Sequence, residues 1–366
     1  MPELPEVETV RRGLAKLIVG REILAVKILN AKSLEIDSQY FAKDFKAASF
    51  ADLIGESSYE DSDKKVAKNS TKFNKNFRKK SNEKVAKNVL EFDEIVREKV
   101  IAKYVIGAKI IATRRRAKVL IIDLSTDFSL VIHLKMTGQI VVREGDENWG
   151  AGHPTGSFVA QLPDKTTRVI FDLSRDATLF FNDQRKFGWV KLVPTAQVSA
   201  LDFIAKLGPE IADFSGDFSQ NFGREFDEKL AQNEFIKRAR KHANSPIKAV
   251  ILDQSVMSGI GNIYADESLW GAKIHPAARV KNLSDLQLKN IFREAKTAME
   301  KSLAAGGSTM QNYIQADGTR GNYIDKFANV FRREGQPCPR CGAEIVKTKV
   351  AGRGTHICRK CQKESV

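Results

Sequence analysis

The chain is 366 residues long and 42% apolar, with 60 basic against 45 acidic side chains and a formal net charge of +15. The apolar content excludes a chain that is disordered throughout, and at roughly 150 residues per domain the length points to two or three domains. No apolar run approaches the ~18 residues that span a bilayer, Glu3, Glu6 and Glu8 stand where a secretory leader carries Lys or Arg, and the positive surplus favours a polyanionic partner such as nucleic acid.

A helix is expected at the very start. Pro5 suits its first position, Glu6 and Glu8 suit its positive end, and Val7, Val10, Leu14, Leu17 and Ile18 recur at helical spacing until Gly20. Short runs rich in Val, Ile and Phe follow at 22–29, 106–113, 118–124, 129–142, 167–173, 178–182 and 189–193, separated by turn residues. They predict an antiparallel β-sandwich or barrel. One connection differs: residues 64–88 hold ten Lys or Arg against a single acid, Glu83. Self-repelling charge with few large apolar residues predicts a disordered insertion there, dispensable for chemistry but able to meet a polyanion.

Past about residue 205 the pattern becomes helical. Ser245-Pro246 reads as a cap and a first-turn proline opening a helix through 251–254. Gly259 and Gly261 make a tight connection, and Asn262 is expected to cap a helix over 263–270 that Gly271 ends. Ser284 opens a long helix toward Leu303, stopped by Gly306-Gly307. Three parts result: a β-rich part over 1–205, a helical part over 222–320 and a terminal module over 328–362.

That module holds all four cysteines, in two C-x2-C knuckles, Cys338/Cys341 and Cys358/Cys361. Each knuckle places two thiolates on one side of a tight turn, and two knuckles complete a tetrahedron, the signature of a zinc ribbon. Two disulfides or a redox pair are the alternative. Four thiolates leave no open position, so one zinc would be structural and would hold a hairpin too small to stand alone. The hairpin carries Lys347, Lys349, Arg353 and His356 as an edge that can face phosphates.

The N-terminus reads Met-Pro-Glu-Leu-Pro-Glu-Val-Glu. Removal of methionine before the small Pro2 exposes a secondary amine. An α-amino group titrates near ~7.7–8.0 against ~10.4 for lysine, so it supplies more neutral nucleophile at pH 7 without burial. Its attack on a sugar's anomeric carbon gives an iminium ion, a strong electron sink. Glu3 beside it can protonate the leaving base or the opening ring.

This opening resembles that of the formamidopyrimidine-DNA glycosylases, a family of bifunctional base-excision enzymes. Further stretches match in the same order: Arg115-Arg116-Ala117-Lys118, His133 to Gly138, Asp183 to Gly188, Asp253-Gln254 with Gly261-Asn262 and Tyr264, and Arg333 through Cys338 and Arg353 to Cys361. The resemblance covers nearly the whole chain except roughly 45–98, where it places the basic insertion. It implies an N-terminal helix and β-sandwich, a helix-two-turns-helix domain and a zinc ribbon, an α+β multidomain architecture.

The resemblance also implies roles. Pro2 would form the imine and Glu3 would donate the proton. Lys118 matches the lysine that assists β-elimination, and Arg353 the zinc-hairpin arginine that grips phosphates and is linked to δ-elimination. Asn262 matches a phosphate-binding asparagine, and His133 falls among the DNA-binding residues. Met136, Arg185 and Phe187 look like the triad that fills the void left when a base is flipped out. Read without the family, Met136 and Phe187 could be core, although their place beside the turns at Thr137-Gly138 and Gly188 favours function, and Lys118 reads as a solvated strand end.

There are departures. A phosphate-binding histidine is usual where this chain has Thr166, which would move the contact to Lys165 or Arg168. The loop 308–323 resembles the family's lesion-recognition loop but is polar and Gly-rich.

The resulting expectation is a cytoplasmic, bacterial-type monomer, with zinc its only cofactor. It would excise oxidised purines such as 8-oxoguanine and formamidopyrimidines from duplex DNA, then cleave the abasic strand by β,δ-elimination. Leu4 and the Arg185/Phe187 pair favour this over an endonuclease VIII-type enzyme for oxidised pyrimidines. Intact Pro2, Glu3 and Lys118 favour it over a non-catalytic DNA-binding protein, and the lack of an aromatic stacking platform disfavours an RNA-binding one.

Overall fold

The helix α1 (Leu4–Ile18) begins one residue before Pro5, and the Glu6 carboxylate accepts the backbone N–H of its cap, Glu3, at 2.7 Å. Proline therefore sits one place inside the first helical position. Val7, Val10, Leu14 and Ile18 form its fully buried stripe. The computed structural model describes residues 2–37, 40–41, 94, 96–152, 161–214, 216, 225–306 and 323–364. The basic tract 64–88 and most of the loop 308–323 lie outside the described residues. No described helix is long and apolar enough to cross a membrane.

Ten strands form two five-stranded sheets. They are β1 (Ile23–Ile28), β2 (Leu34–Ile36), β3 (Ile110–Arg116), β4 (Val119–Leu124), β5 (Phe128–His133), β6 (Gly138–Glu144), β7 (Glu147–Gly152), β8 (Thr167–Leu173), β9 (Ala177–Asp183) and β10 (Trp189–Pro194). One sheet runs β1-β8-β9-β6-β7 and the other β2-β10-β5-β4-β3. All pairs are antiparallel except β10 with β2. Alternate residues, such as Leu120 and Ile122, Leu130 and Ile132, Leu179 and Phe181, face inward to a shared core. This is a β-sandwich, and α1 lies across its β3 and β7 edge.

Two expected strands shift. The run 106–113 becomes a strand only from Ile110, because Gly107 turns the chain at φ 79° and its N–H donates to Ile23. The run 129–142 splits into β5 and β6, because Lys135 takes a left-handed φ of 50° and Gly138 N–H donates to the Leu134 carbonyl. The apolar alternation continued through the turn and hid the break.

The helical part contains α2 (Glu228–Arg240), α3 (Ile247–Leu252), α4 (Asn262–Gly271), α5 (Asp285–Ala304) and α6 (Tyr323–Phe327). Ser284 caps α5 with a full capping box through Gln287. At α4 the cap is Gly261, and Asn262 is the first helical residue. The terminal module is the hairpin β11 (Ile345–Val350) and β12 (Arg353–Cys358), turned by Ala351 and Gly352 at φ 48° and 78°. Two positive-φ residues in a two-residue loop match the twist of a hairpin.

The halves do not have wholly separate cores. Leu4, fully buried on α1, belongs to the helical core with Ile251, Ile260, Tyr264 and Met299. Its N–H donates to the Gly259 carbonyl at 3.1 Å, and Gly259 holds φ 87° where any Cβ would strike the Leu4 side chain. Position 259 is therefore restricted to glycine, and α1 is shared between the two halves.

Candidate active site and nucleic-acid interface

The start of α1, the β3–β4 turn, the start of α4 and the β11–β12 turn converge on one place. Pro2 and Glu3 are buried there. Glu3 Oε1 accepts the Ile263 N–H at 3.0 Å, at the positive end of α4. Glu3 Oε2 is buried with no hydrogen-bond partner. A Cβ on Gly261 would sit 2.3 Å from the Glu3 carboxyl carbon, so glycine there makes the space the carboxyl occupies.

Lys118 is 5% exposed, far from the solvated strand end that its position otherwise suggests. Its Nζ donates to the Ile260 carbonyl at 2.6 Å. Burial pulls the Lys118 ammonium below the usual lysine range, against the pull of Glu3 and Glu6 and helped by Arg353. Burial likewise pushes the Glu3 carboxyl up to about 7, with Lys118 opposing and Glu6 assisting. Both shifts run toward a neutral acid beside a neutral amine, so desolvation outweighs the pair's mutual attraction. An acid titrating near neutrality is suited to proton donation.

Arg353 is exposed at the first residue of β12, close enough to act electrostatically on Lys118. The Gly354 carbonyl next to it accepts from Asn262 Nδ2 at 3.0 Å and from Lys248 Nζ at 2.8 Å. Lys248 is fully buried and also binds Asp266 Oδ1 at 2.6 Å and Thr355 Oγ1 at 2.8 Å. Asp266 Oδ2 in turn accepts the His356 N–H at 2.9 Å. His356 thus turns inward onto α4 and is 4% exposed, which removes it from the expected phosphate-facing edge. Glu267, the next residue, accepts from the backbones of Asn329, Val330 and Phe331 at 2.9 Å each. Consecutive acids on α4 therefore seat the terminal module and set where Arg353 stands.

Sequence reading missed Lys248, Asp266 and Glu267. Their signal was present: a lysine inside Pro246-Ile-Lys-Ala-Val-Ile-Leu and two acids inside an otherwise apolar helix are charges with no solvent to face.

The four cysteines are free of disulfides, and their sulfur atoms lie within 4.8 Å of one another. Cys338 and Cys361 are 3.9 Å apart at Sγ, and Cys341 and Cys358 are 3.4 Å apart. Tetrahedral zinc with Zn–S near ~2.3 Å needs S–S separations of about 3.8 Å, so the donor set fits one structural Zn²⁺. Trp270, at the end of α4, donates Nε1–H to Cys338 Sγ at 3.4 Å.

A second group of candidates lies at the ends of β5 and β9. Met136 and Phe187 are 43% and 53% exposed, so neither is core. The Arg185 guanidinium stands 4.9 Å over the Phe187 ring, and its Nη1 is 3.2 Å from Met136 Sδ. Asp183 braces this cluster: it accepts from the Thr137 hydroxyl, from Arg185 N–H at 3.2 Å and from Gly188 N–H at 2.6 Å. Exposed apolar tips on a braced turn are available to enter a base stack. His133 Nδ1 accepts the Lys135 N–H at 2.9 Å, and burial, with Lys135 and Lys118, pulls its pKa down to about 3. The ring is neutral, with Nε2–H as its remaining donor.

The Thr166 hydroxyl is turned onto Asp164 at 2.6 Å, and buried Arg168 donates to the Asp183 carbonyl at 2.8 Å. Lys165 is the exposed residue of the three. Asn262 Oδ1 is buried and unpartnered while its Nδ2 holds Gly354.

The comparisons with known proteins run along the chain, and the N-terminal family match includes 45–56 and 66–98, where the resemblance was expected to break off. The model of the formamidopyrimidine-DNA glycosylase N-terminal domain matches residues 1–56 and 66–190, that of the formamidopyrimidine-DNA glycosylase H2TH domain residues 222–313, and that of the zinc finger found in FPG and IleRS residues 335–363. A formamidopyrimidine-DNA glycosylase of Streptococcus pyogenes is 32% identical over 365 residues, covering all of this chain and 99% of that protein. One from Pelotomaculum thermopropionicum is 31% identical over 363 residues, covering 99% of each. A Lactococcus lactis FPG mutant bound to Fapy-dG DNA superposes with a TM-score of 0.68 at 29% identity, covering 99% of this chain and 100% of that one. MutM bound to carbocyclic 8-oxo-G DNA gives 0.67 at 28% identity, with the same coverage.

Proposed function

The chain belongs to the formamidopyrimidine-DNA glycosylase family, enzymes of base-excision repair, and on that premise we propose that it removes oxidised purines from duplex DNA and cleaves the abasic strand through an imine at Pro2. The observation that carries this reading is Glu3: a buried carboxyl with one oxygen held at the start of α4, the other without a partner, and a pKa near 7 beside the N-terminal amine and Lys118.

In this reading the Pro2 nitrogen bonds to the sugar's anomeric carbon as the glycosidic bond breaks. Glu3 gives its proton to the departing base or the opening ring oxygen. The resulting iminium acidifies the adjacent carbon. Lys118, whose pKa burial lowers, assists loss of that proton, and the 3′-phosphate departs. Arg353 grips the phosphate at the lesion, and a second elimination releases the 5′-phosphate. Met136 and Phe187 occupy the vacated stack while Arg185 hydrogen-bonds the orphan base. Asn262, His133 and Lys165 hold the backbone.

Borohydride trapping tests the whole reading. A covalent complex should form on an 8-oxoguanine duplex, with the modification mapped to residue 2. A complex that forms only on oxidised-pyrimidine duplexes favours the endonuclease VIII type. Binding without any trapping favours a non-catalytic protein.

Phe187→Ala and Met136→Ala should each lower single-turnover excision from duplex DNA by roughly tenfold to a hundredfold, since unstacking a base step costs a few kcal/mol. Their exposure means the melting temperature should move little, by well under about 1 kcal/mol of stability. Unchanged excision, or a loss of several kcal/mol in stability, would return both residues to a packing role.

Chelation of zinc, or Cys338→Ser, should unfold the terminal module, because zinc binding contributes on the order of 10 kcal/mol in such ribbons. Arg353 then loses its support, and duplex affinity should collapse while the circular dichroism of the sandwich persists. Trp270 reports the event independently, because its indole N–H loses the Cys338 sulfur. Tight duplex binding by a metal-free protein would overturn the assignment.

A further inference from the structure

Three residues of the segment joining the two halves, Gly208-Pro209-Glu210, anchor both the element that carries Lys118 and the loop that receives its ammonium. On the first side, Glu210 Oε1 accepts the Ala117 N–H at 2.6 Å and Arg116 Nη1 at 2.7 Å, and Oε2 accepts Arg115 Nη1 at 3.2 Å. The Gly208 carbonyl accepts Arg116 Nη2 at 2.7 Å. On the second side, Gly208 N–H donates to the Gln254 carbonyl at 2.8 Å, and the Pro209 carbonyl accepts the Ser258 N–H at 3.2 Å. Arg116 Nη1 closes the figure on Ser258 Oγ at 2.9 Å. Gln254 then holds the loop from inside, donating to the Ile260 carbonyl at 2.9 Å. That carbonyl is also the one Lys118 Nζ binds.

Ala117 is the strained point of this arrangement. It holds a left-handed φ of 51° immediately before Lys118. That conformation is disfavoured for a residue with a Cβ, and it persists only where the surroundings over-determine it. The Glu210 carboxylate supplies that restraint from below the turn. It is 4% exposed; burial pushes it up, but Arg115 and Arg116 outweigh burial and hold it in the charged form that accepts.

We propose that Glu210 is a positioning residue for the elimination chemistry: by binding the Ala117 N–H and the Arg115-Arg116 pair from the interdomain segment, it sets the Lys118 amine against the Ile260 carbonyl and Glu3. The inference rests on the reading of Lys118 given under the proposed function. Glu210 is buried, so it acts through the turn it holds. A shift of about 1 Å in a reacting group can cost up to roughly a hundredfold in rate.

The test uses the full-length, zinc-loaded protein on a duplex with a preformed abasic site, at saturating enzyme. Glu210→Gln should slow strand cleavage tenfold to a hundredfold, with duplex Kd within threefold of the parent. With the turn loosened, Lys118 gains water, and its ammonium moves back toward the ordinary lysine value. The charged and titratable groups facing it are Glu3, Glu6, Arg353 and His133, and none of them is altered. The limb of the pH–rate profile that requires the neutral amine should therefore move to higher pH, which a general loss of stability does not produce. Glu210→Asp keeps the charge and withdraws it from Ala117, so it should give the same pH shift if Glu210→Gln fails to fold. Ala117→Gly added to either variant should restore part of the rate, because glycine adopts the turn unaided. Lys118→Ala runs in parallel. If it cleaves as fast as the parent, the reading of Lys118 fails and this inference with it. If it is slow while both Glu210 variants keep the parental rate and pH profile, only the positioning role of Glu210 is overturned.

Discussion

Adding residues ahead of Pro2 is expected to abolish both base removal and borohydride trapping. An extended N-terminus converts the secondary amine into an amide nitrogen, which has no basic lone pair to attack the anomeric carbon. Loss of a covalent nucleophile commonly costs a thousandfold or more, so residual trapping should fall below detection. The fold should survive, because Val7, Val10, Leu14 and Ile18 hold α1 on the sandwich and Leu4 holds it on the helical core. Duplex affinity should then remain within about tenfold, since the phosphate contacts lie elsewhere. The measurement is trapping and binding on one 8-oxoguanine duplex, with the native and the extended protein side by side. Equal trapping by the two would show that another amine is the nucleophile, and Lys118 would be the first to examine.

Glu3→Gln is expected to lower excision of the damaged base by about a hundredfold to ten-thousandfold, the usual worth of a general acid. Cleavage of a preformed abasic site should be less affected, because only the ring oxygen remains to be protonated. The pH dependence follows from the pKa near 7, which burial sets against the attraction of Lys118. The donating form is the protonated one. Excision should fall about tenfold per pH unit once the pH passes 7, and Glu3→Gln should lack that limb. Stability moves by linkage. The folded state binds this proton more tightly than the unfolded chain, so the stability it contributes is full below about 4.5 and is lost as pH rises to about 7. Glu3→Gln has no such proton. Its melting temperature should gain on the parent between pH 4.5 and 7 and run parallel above. A difference that is flat with pH would place the Glu3 carboxyl in the ordinary range and remove it as the acid.

Local pattern determined much of this protein. The stripe of α1, the inward alternation of β4, β5 and β9, the Ser284 capping box and the two cysteine knuckles are each written within a few residues, and short-range periodicity or ligand spacing suffices to read them. The functional motifs were legible in the same way, because the groups proposed for the chemistry are carried on short contiguous stretches. What lay beyond the sequence is where those stretches meet. Nothing local distinguishes Lys118 at a solvated strand end from Lys118 buried against Ile260, or Met136 in a core strand from Met136 on a turn that Lys135 makes by adopting positive φ. His356 read as an exposed basic edge until α4 supplied Asp266, and Leu4 read as part of one core until the helical half supplied another. Burial and charge pairing are properties of surfaces brought together from distant parts of the chain, such as Glu210 with Ala117 and Asp266 with His356. The pKa of Glu3, the seat of Arg353 and the hold of Glu210 on the Lys118 turn all depend on that burial, so they exist only in the folded chain.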